Sequence, residues 1–183
     1  DGQVVVANNQ LSGSSGDSFG TGVDVGDVNG DGFIDLIVGD ERGGTLGAGY
    51  LFLGPDAGST KTSAAASSSI LAATGVRFGV RAAVGDIDGD GVDDIIFSGQ
   101  LFDASRGKAY LFYGRESWPT TLSEADADAT WEGENTGNTL GGLTLHIADR
   151  DGDGFVDIML VAGNINTNTG RVYLIQGREA RFS

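Results

Sequence analysis

The chain has no cysteine, two prolines, one histidine and one methionine in 183 residues. Without cysteine there are no disulfides and no thiolate metal sites. Basic residues are scarce too: 11 Lys and Arg stand against 26 Asp and Glu, a formal charge of −15. That balance argues against nucleic acid, which needs a basic face, and against anionic membrane surfaces. No run reaches the roughly 18 apolar residues of a membrane-spanning helix. No signal peptide is visible, and the chain opens at Asp1-Gly2 as a processed or excised chain would. Catalytic words are missing as well. There is no Gly-x-Ser-x-Gly elbow, and the lone His146 has no evident nucleophile partner, so an enzyme is not expected. The length suits one domain, 1–183, with a sizeable core.

What the chain does have is one acidic loop written three times. The copies are Asp27-Val-Asn29-Gly-Asp31-Gly32-Phe33-Ile-Asp35, Asp86-Ile-Asp88-Gly-Asp90-Gly91-Val92-Asp-Asp94 and Asp149-Arg-Asp151-Gly-Asp153-Gly154-Phe155-Val-Asp157. They start 59 and 63 residues apart, and their positions 1, 3, 5 and 9 hold 11 of the 26 acidic residues. Calcium is a hard cation that takes six to eight oxygens at about 2.3–2.6 Å. Alternate residues of a tight loop can turn their oxygens to one centre. Positions 1, 3 and 5 offer side chains, and position 7 (Phe33, Val92, Phe155) offers only its carbonyl. Position 9 (Asp35, Asp94, Asp157) offers the last carboxylate. Glycine at position 6 permits the sharp turn. Magnesium fits less well, because it needs a smaller, near-ideal octahedron. Three bound calcium ions would bring the charge to −9. Asn29 leaves the first loop one carboxylate short, so that loop is expected to bind most weakly. Calcium is millimolar outside cells, which predicts an extracellular or cell-surface setting.

An EF-hand begins alike but needs Glu at position 12. Here position 12 is Val38, Phe97 or Leu160, inside the apolar runs Leu36–Val38, Ile95–Phe97 and Ile158–Val161. Such short runs after a turn read as buried strands. The similarity continues on both sides. Phe19-Gly20, Phe78-Gly79 and Leu140-Gly141 precede the loops, and alternating pairs (Val23 and Val25, Ala82 and Val84, Leu145 and Ile147) lie between those words and the loops. Tyr50-Leu-Phe-Leu-Gly54, Tyr110-Leu-Phe-Tyr-Gly114 and Tyr173-Leu-Ile-Gln-Gly177 recur after the apolar runs. Further strand-like segments run from Ser69 to Thr74 and from Asp128 to Glu132. Each repeat is therefore four short strands with the loop between the first two. Four-stranded antiparallel units at a period near 60 residues predict the blades of a β-propeller.

On these residues the chain resembles the FG-GAP repeats of integrin alpha-subunit β-propellers and their bacterial relatives. Gly49-Tyr50, Ala109-Tyr110 and Val172-Tyr173 add to the resemblance. It covers nearly the whole chain. It implies an all-β fold of three blade repeats, approximately 17–75, 76–133 and 138–183, with 1–12 an offset outer strand. The chain departs from the family at Gly39-Asp40-Glu41, Ser98-Gly99-Gln100 and Ala162-Gly163-Asn164, where the Gly-Ala-Pro half of the motif belongs, and at Leu140. Those departures and the lack of cysteine favour a bacterial-type relative. A propeller needs at least four blades, so another copy or a further part of the parent should complete the ring, with an open end-to-end assembly of successive copies as the alternative. The segment Val4–Leu11 is expected to pair with the strand holding Gly170–Tyr173 of such a partner.

Other residues invite weaker readings. In a propeller the first strand lines the channel, where Asp24, Arg81, Thr144 and His146 form either a polar site or a solvated wall. Trp118 and Trp131 are either sugar-stacking platforms or packing anchors, and packing is favoured for both. The segments 61–69 and 122–128 read as solvated outer loops, although the alanines of 61–69 could form one helical turn. The expected function is a calcium-binding extracellular propeller module for adhesion, protein interaction or assembly, with self-association through the terminal strands. A carbohydrate-binding propeller and an accessory domain of a secreted enzyme are the alternatives.

Overall fold

The computed structural model describes residues 10–14, 16–55, 61–165 and 169–182. The described strands are β1 (Leu11–Ser12), β2 (Phe19–Gly26), β3 (Asp35–Asp40), β4 (Ala48–Phe52), β5 (Lys61–Thr62), β6 (Ser68–Leu71) and β7 (Phe78–Gly85). They continue with β8 (Asp94–Gly99), β9 (Lys108–Phe112), β10 (Thr121–Ser123), β11 (Ala129–Glu132), β12 (Leu145–Ala148), β13 (Asp157–Ile165) and β14 (Thr169–Ile175). The protein is all-β and built of propeller blades. The first blade is ordered β6-β4-β3-β2, the second β11-β9-β8-β7 and the third β12-β13-β14. Each is an antiparallel meander, and each acidic loop joins its first and second strands.

The blades stack through two apolar clusters. Ile37 and Leu51 of the first blade meet Phe78, Ile95, Phe97, Tyr110 and Phe112 of the second. Ala83, Ile96 and Leu111 on the opposite face of the second blade meet Leu145, Ile158 and Leu160 of the third. The middle strand β8 is buried at all six positions because both its faces are covered. This is why Ile95, Ile96 and Phe97 follow one another in it without alternating with polar residues. The ends of the stack differ. Val23 and Val25 of β2 are 55% and 54% exposed, and Val172 and Leu174 of β14 are 65% and 42% exposed. Within the described residues the ring is not closed.

Two expectations fail. The segments 61–69 and 122–128 are not simply solvated loops. Each opens with a short strand (β5, β10) followed by a turn of 3₁₀ helix at Ser63–Ala65 or Glu124–Asp126. Strand β10 pairs in parallel with β6 of the preceding blade, Leu122 opposite Ile70. The Ser69 N–H donates to the Thr120 carbonyl, and Glu124 accepts from the Ala73 N–H. These backbone bonds across blades outweigh the polar composition. Strand β5 pairs with β1 in the same parallel manner, and Ser12 stands to Phe19 as Leu71 stands to Phe78. β1 thus takes the place of a fourth strand. Most of the segment Val4–Leu11 lies outside the described residues.

Candidate metal centre

Each loop is first held by its own carboxylates. The position-1 carboxylate accepts two backbone N–H groups from the turn. For Asp27 the donors are Asp31 (3.1 Å) and Gly32 (2.8 Å), and for Asp86 they are Asp90 (3.0 Å) and Gly91 (2.9 Å). Asp149 differs slightly, accepting from Gly152 at 2.7 Å and Gly154 at 3.1 Å. The position-5 Oδ1 atoms of Asp31, Asp90 and Asp153 each accept the N–H of position 7 at 2.9 Å. Glycines at positions 4 and 6 have φ between 70° and 95° in all three loops, a region costly for any other residue.

Position 9 anchors the loop to its blade. Asp35, Asp94 and Asp157 are at most 1% exposed. Their Oδ2 atoms accept the N–H of position 2 (Val28, Ile87, Arg150), and their Oδ1 atoms accept the N–H of Gly54, Gly114 and Gly177. Those glycines end the repeated Tyr-Leu segments, a recurrence for which the sequence offered no reason. A Cβ on Gly114 would come within 2.6 Å of the Asp93 carbonyl, so the close approach requires glycine. Burial pushes the Asp94 carboxyl up to about 7, with Asp88 and Asp90 adding to the rise against the bonds from Gly114 and Ile87. Burial raises Asp35 in the same direction. Neighbouring carboxylates at a buried position are costly unless a cation answers them.

The cages are partly assembled. One carboxylate oxygen from each of Asp86, Asp88 and Asp94 lies within 4.8 Å of the other two, and the same holds for Asp149, Asp151 and Asp153. Oxygens on opposite sides of one calcium would be about 5 Å apart, so both trios fit around a single ion. Every donor is a hard oxygen, which suits calcium and not a soft metal. In the first loop the Asn29 amide donates to Asp31 at 2.9 Å, joining positions 3 and 5.

The loops also touch one another. The Asp27 N–H donates to Asp93 Oδ2 at 2.8 Å, and the Asp93 N–H returns to the Asp27 carbonyl. A Cβ on Gly30 would lie 3.1 Å from Val92, and one on Gly89 would lie 2.6 Å from the Phe155 ring. The position-7 side chain therefore packs on the preceding loop, a role beyond the carbonyl that sequence reasoning gave it. Phe33, with no loop before it among the described residues, is 49% exposed.

Of the remaining candidates, Asp24, Arg81, Trp118 and Trp131 make structural contacts. Asp24 accepts the Val84 N–H at 2.9 Å, tying the first strands of two blades, and Arg81 donates to the Leu143 carbonyl at 3.1 Å, just ahead of the third blade's first strand. Thr144 and His146 are exposed. Trp118 is 9% exposed, lies under the Arg115 guanidinium and donates its indole N–H to the Val28 carbonyl at 3.0 Å. It is a packing anchor on the first loop and not an open sugar platform. Trp131 is half-buried and meets Phe182 edge to face at 5.3 Å. Among the described residues no helix is long and apolar enough to cross a membrane.

Comparison with known proteins agrees with this architecture. Residues 27–97 match the FG-GAP-like repeat. Human integrin alpha-IIb is 32% identical over 171 residues, covering 86% of this chain and 16% of its own. Integrin alpha-4 of Xenopus laevis is 30% identical over 153 residues, 80% of this chain and 14% of its own. Integrin alpha-5 of the same frog is 28% identical over 164 residues, 81% of this chain and 15% of its own. The chain spans about a sixth of the length of these curated relatives.

Proposed function

We propose, from the premise that this chain belongs to the FG-GAP-like repeat family and is integrin-like, that it is a calcium-stabilised propeller module for binding or assembly outside the cell. Each loop holds one calcium through side-chain oxygens of positions 1, 3, 5 and 9 and the carbonyl of position 7. The observation that carries this reading is the position-9 aspartate. It is buried, tied by backbone bonds to both the loop and the third strand, and turned to the same centre as two further carboxylates in the second loop. A cation there links the loop to the blade and answers the charge that burial disfavours. Metal bound only to the folded state also stabilises it by mass action. The blade repeats serve as the scaffold, and their uncovered end faces and loops are the surfaces offered to a protein partner or a second copy. No catalytic step is assigned. The carbohydrate reading loses its platform because Trp118 is buried.

The test is calorimetric titration of the metal-free chain. Wild type should take up three calcium ions, and Asp90→Ala should take up two while keeping the fold. Unchanged stoichiometry in Asp90→Ala would refute the assignment of that loop.

A further inference from the structure

The third strands of the second and third blades are followed by the same word, Gly114-Arg115-Glu116 and Gly177-Arg178-Glu179. In both blades the chain then turns back over the acidic loop of the blade before. In the second blade the Arg115 N–H and the Trp118 indole N–H both reach the Val28 carbonyl of the first loop. In the third blade Arg178 lies over the Phe182 ring at 4.2 Å, as Arg115 lies over Trp118 at 4.8 Å. Phe182 packs on Trp131, and its N–H donates to the Tyr113 hydroxyl. These contacts bring Arg181, stacked on Tyr113 at 4.6 Å, onto the second loop. Its Nε donates to Asp88 Oδ2, and its Nη2 donates to Asp90 Oδ2 at 2.8 Å.

The oxygens involved matter. The Oδ1 atoms of Asp88 and Asp90 already accept the N–H groups of Asp90 and Val92. The guanidinium therefore takes the two oxygens of positions 3 and 5 that accept no backbone N–H. Asp90 is also the carboxylate missing from the close trio of its loop, whereas its counterpart Asp153 belongs to the trio of the third loop. The nearest guanidinium of the third loop, that of Arg150, stands 3.8 and 3.9 Å from Asp157 and Asp151, beyond hydrogen-bond distance.

We propose that Arg181 competes with the second calcium for Asp88 and Asp90, so that the segment 178–182 is a strap that lies on the second loop when the metal is absent and releases its arginine when the metal binds. The inference rests on the calcium reading above. The physical basis is plain: a guanidinium and a calcium ion cannot both occupy the same pair of carboxylate oxygens, and like charges at this range repel. The third blade would thus sense the loading of the second.

Amide NMR separates the sites, because the Gly32, Gly91 and Gly154 N–H groups each donate into the position-1 carboxylate of their own loop. Calcium is titrated into the metal-free wild type, Arg181→Gln and Phe182→Ala. Arg181→Gln should lower the calcium midpoint of Gly91 by roughly tenfold and leave those of Gly32 and Gly154 in place. Phe182→Ala, which loosens the strap without touching a carboxylate, should shift Gly91 in the same direction. In wild type the Phe182 amide should move together with Gly91. A Gly91 midpoint unchanged or raised in Arg181→Gln would overturn the inference, as would a Phe182 amide that stays still while Gly91 saturates. If none of the three glycines responds at millimolar calcium, the calcium reading itself falls and takes this inference with it.

Discussion

At the scale of single residues, the loop carboxylates shape the turn before any cation is considered. Backbone N–H groups occupy the position-1 carboxylates and the position-5 Oδ1 atoms, so the turns are preformed. Asn29 tests how much charge then matters. Its amide already bridges to Asp31, which an aspartate there could not do. Asn29→Asp should tighten calcium binding at the first loop on the order of tenfold, since an added unit charge near a divalent ion is worth at least about 1 kcal/mol even at high dielectric. It should also lower the melting temperature of the metal-free protein, because the new carboxylate repels its neighbours. Calorimetry checks the first claim and thermal denaturation in chelator the second. A mutant that binds more weakly than wild type would show that loop geometry outweighs charge. The turns themselves were legible in the sequence because each is set by spacing within nine residues. The arginine on Asp88 was not, because it acts across 93 residues of sequence.

At the scale of elements, the repeats are alike in sequence but unlike in burial. Phe78 is fully buried against Phe97, Tyr110 and Phe112. Phe19 holds the same place against Tyr50 and Phe52 but is only half-buried, because among the described residues no blade covers that face. Phe78→Ala should cost about 3–5 kcal/mol, and Phe19→Ala clearly less, by denaturant unfolding of the calcium-loaded protein. Equal losses would mean that the first blade is covered in solution. The strands that follow each loop were readable from their apolar runs and from the Tyr-Leu segments. Strands β5 and β10 were not. They span two and three residues, carry no periodicity, and exist only because a neighbouring blade offers them backbone partners.

At the scale of the whole molecule, the two open ends are complementary in kind. Val23 and Val25 stand where Ala82 and Val84 of the second blade pack against the first, and Met159 and Leu174 stand where Ile96 and Leu111 pack against the third. One end of the stack thus offers the face that the other end is built to receive. Exposed apolar faces of this kind invite association, and a head-to-tail pair that closes on itself would give a six-bladed ring. The 183-residue chain alone is expected to dimerise at micromolar concentration in light scattering, and Leu174→Arg should return it to monomer. A stable, monodisperse wild-type monomer would refute closure by a second copy.

The central claim is that three repeated loops are calcium sites that tie each turn to its blade. The most direct measurement is an anomalous difference map from crystals of the wild-type chain grown in millimolar calcium. Three peaks are predicted, one in each loop, with oxygens of positions 1, 3, 5, 7 and 9 at about 2.3–2.6 Å. A map with well-ordered loops and no anomalous density inside them would contradict the account.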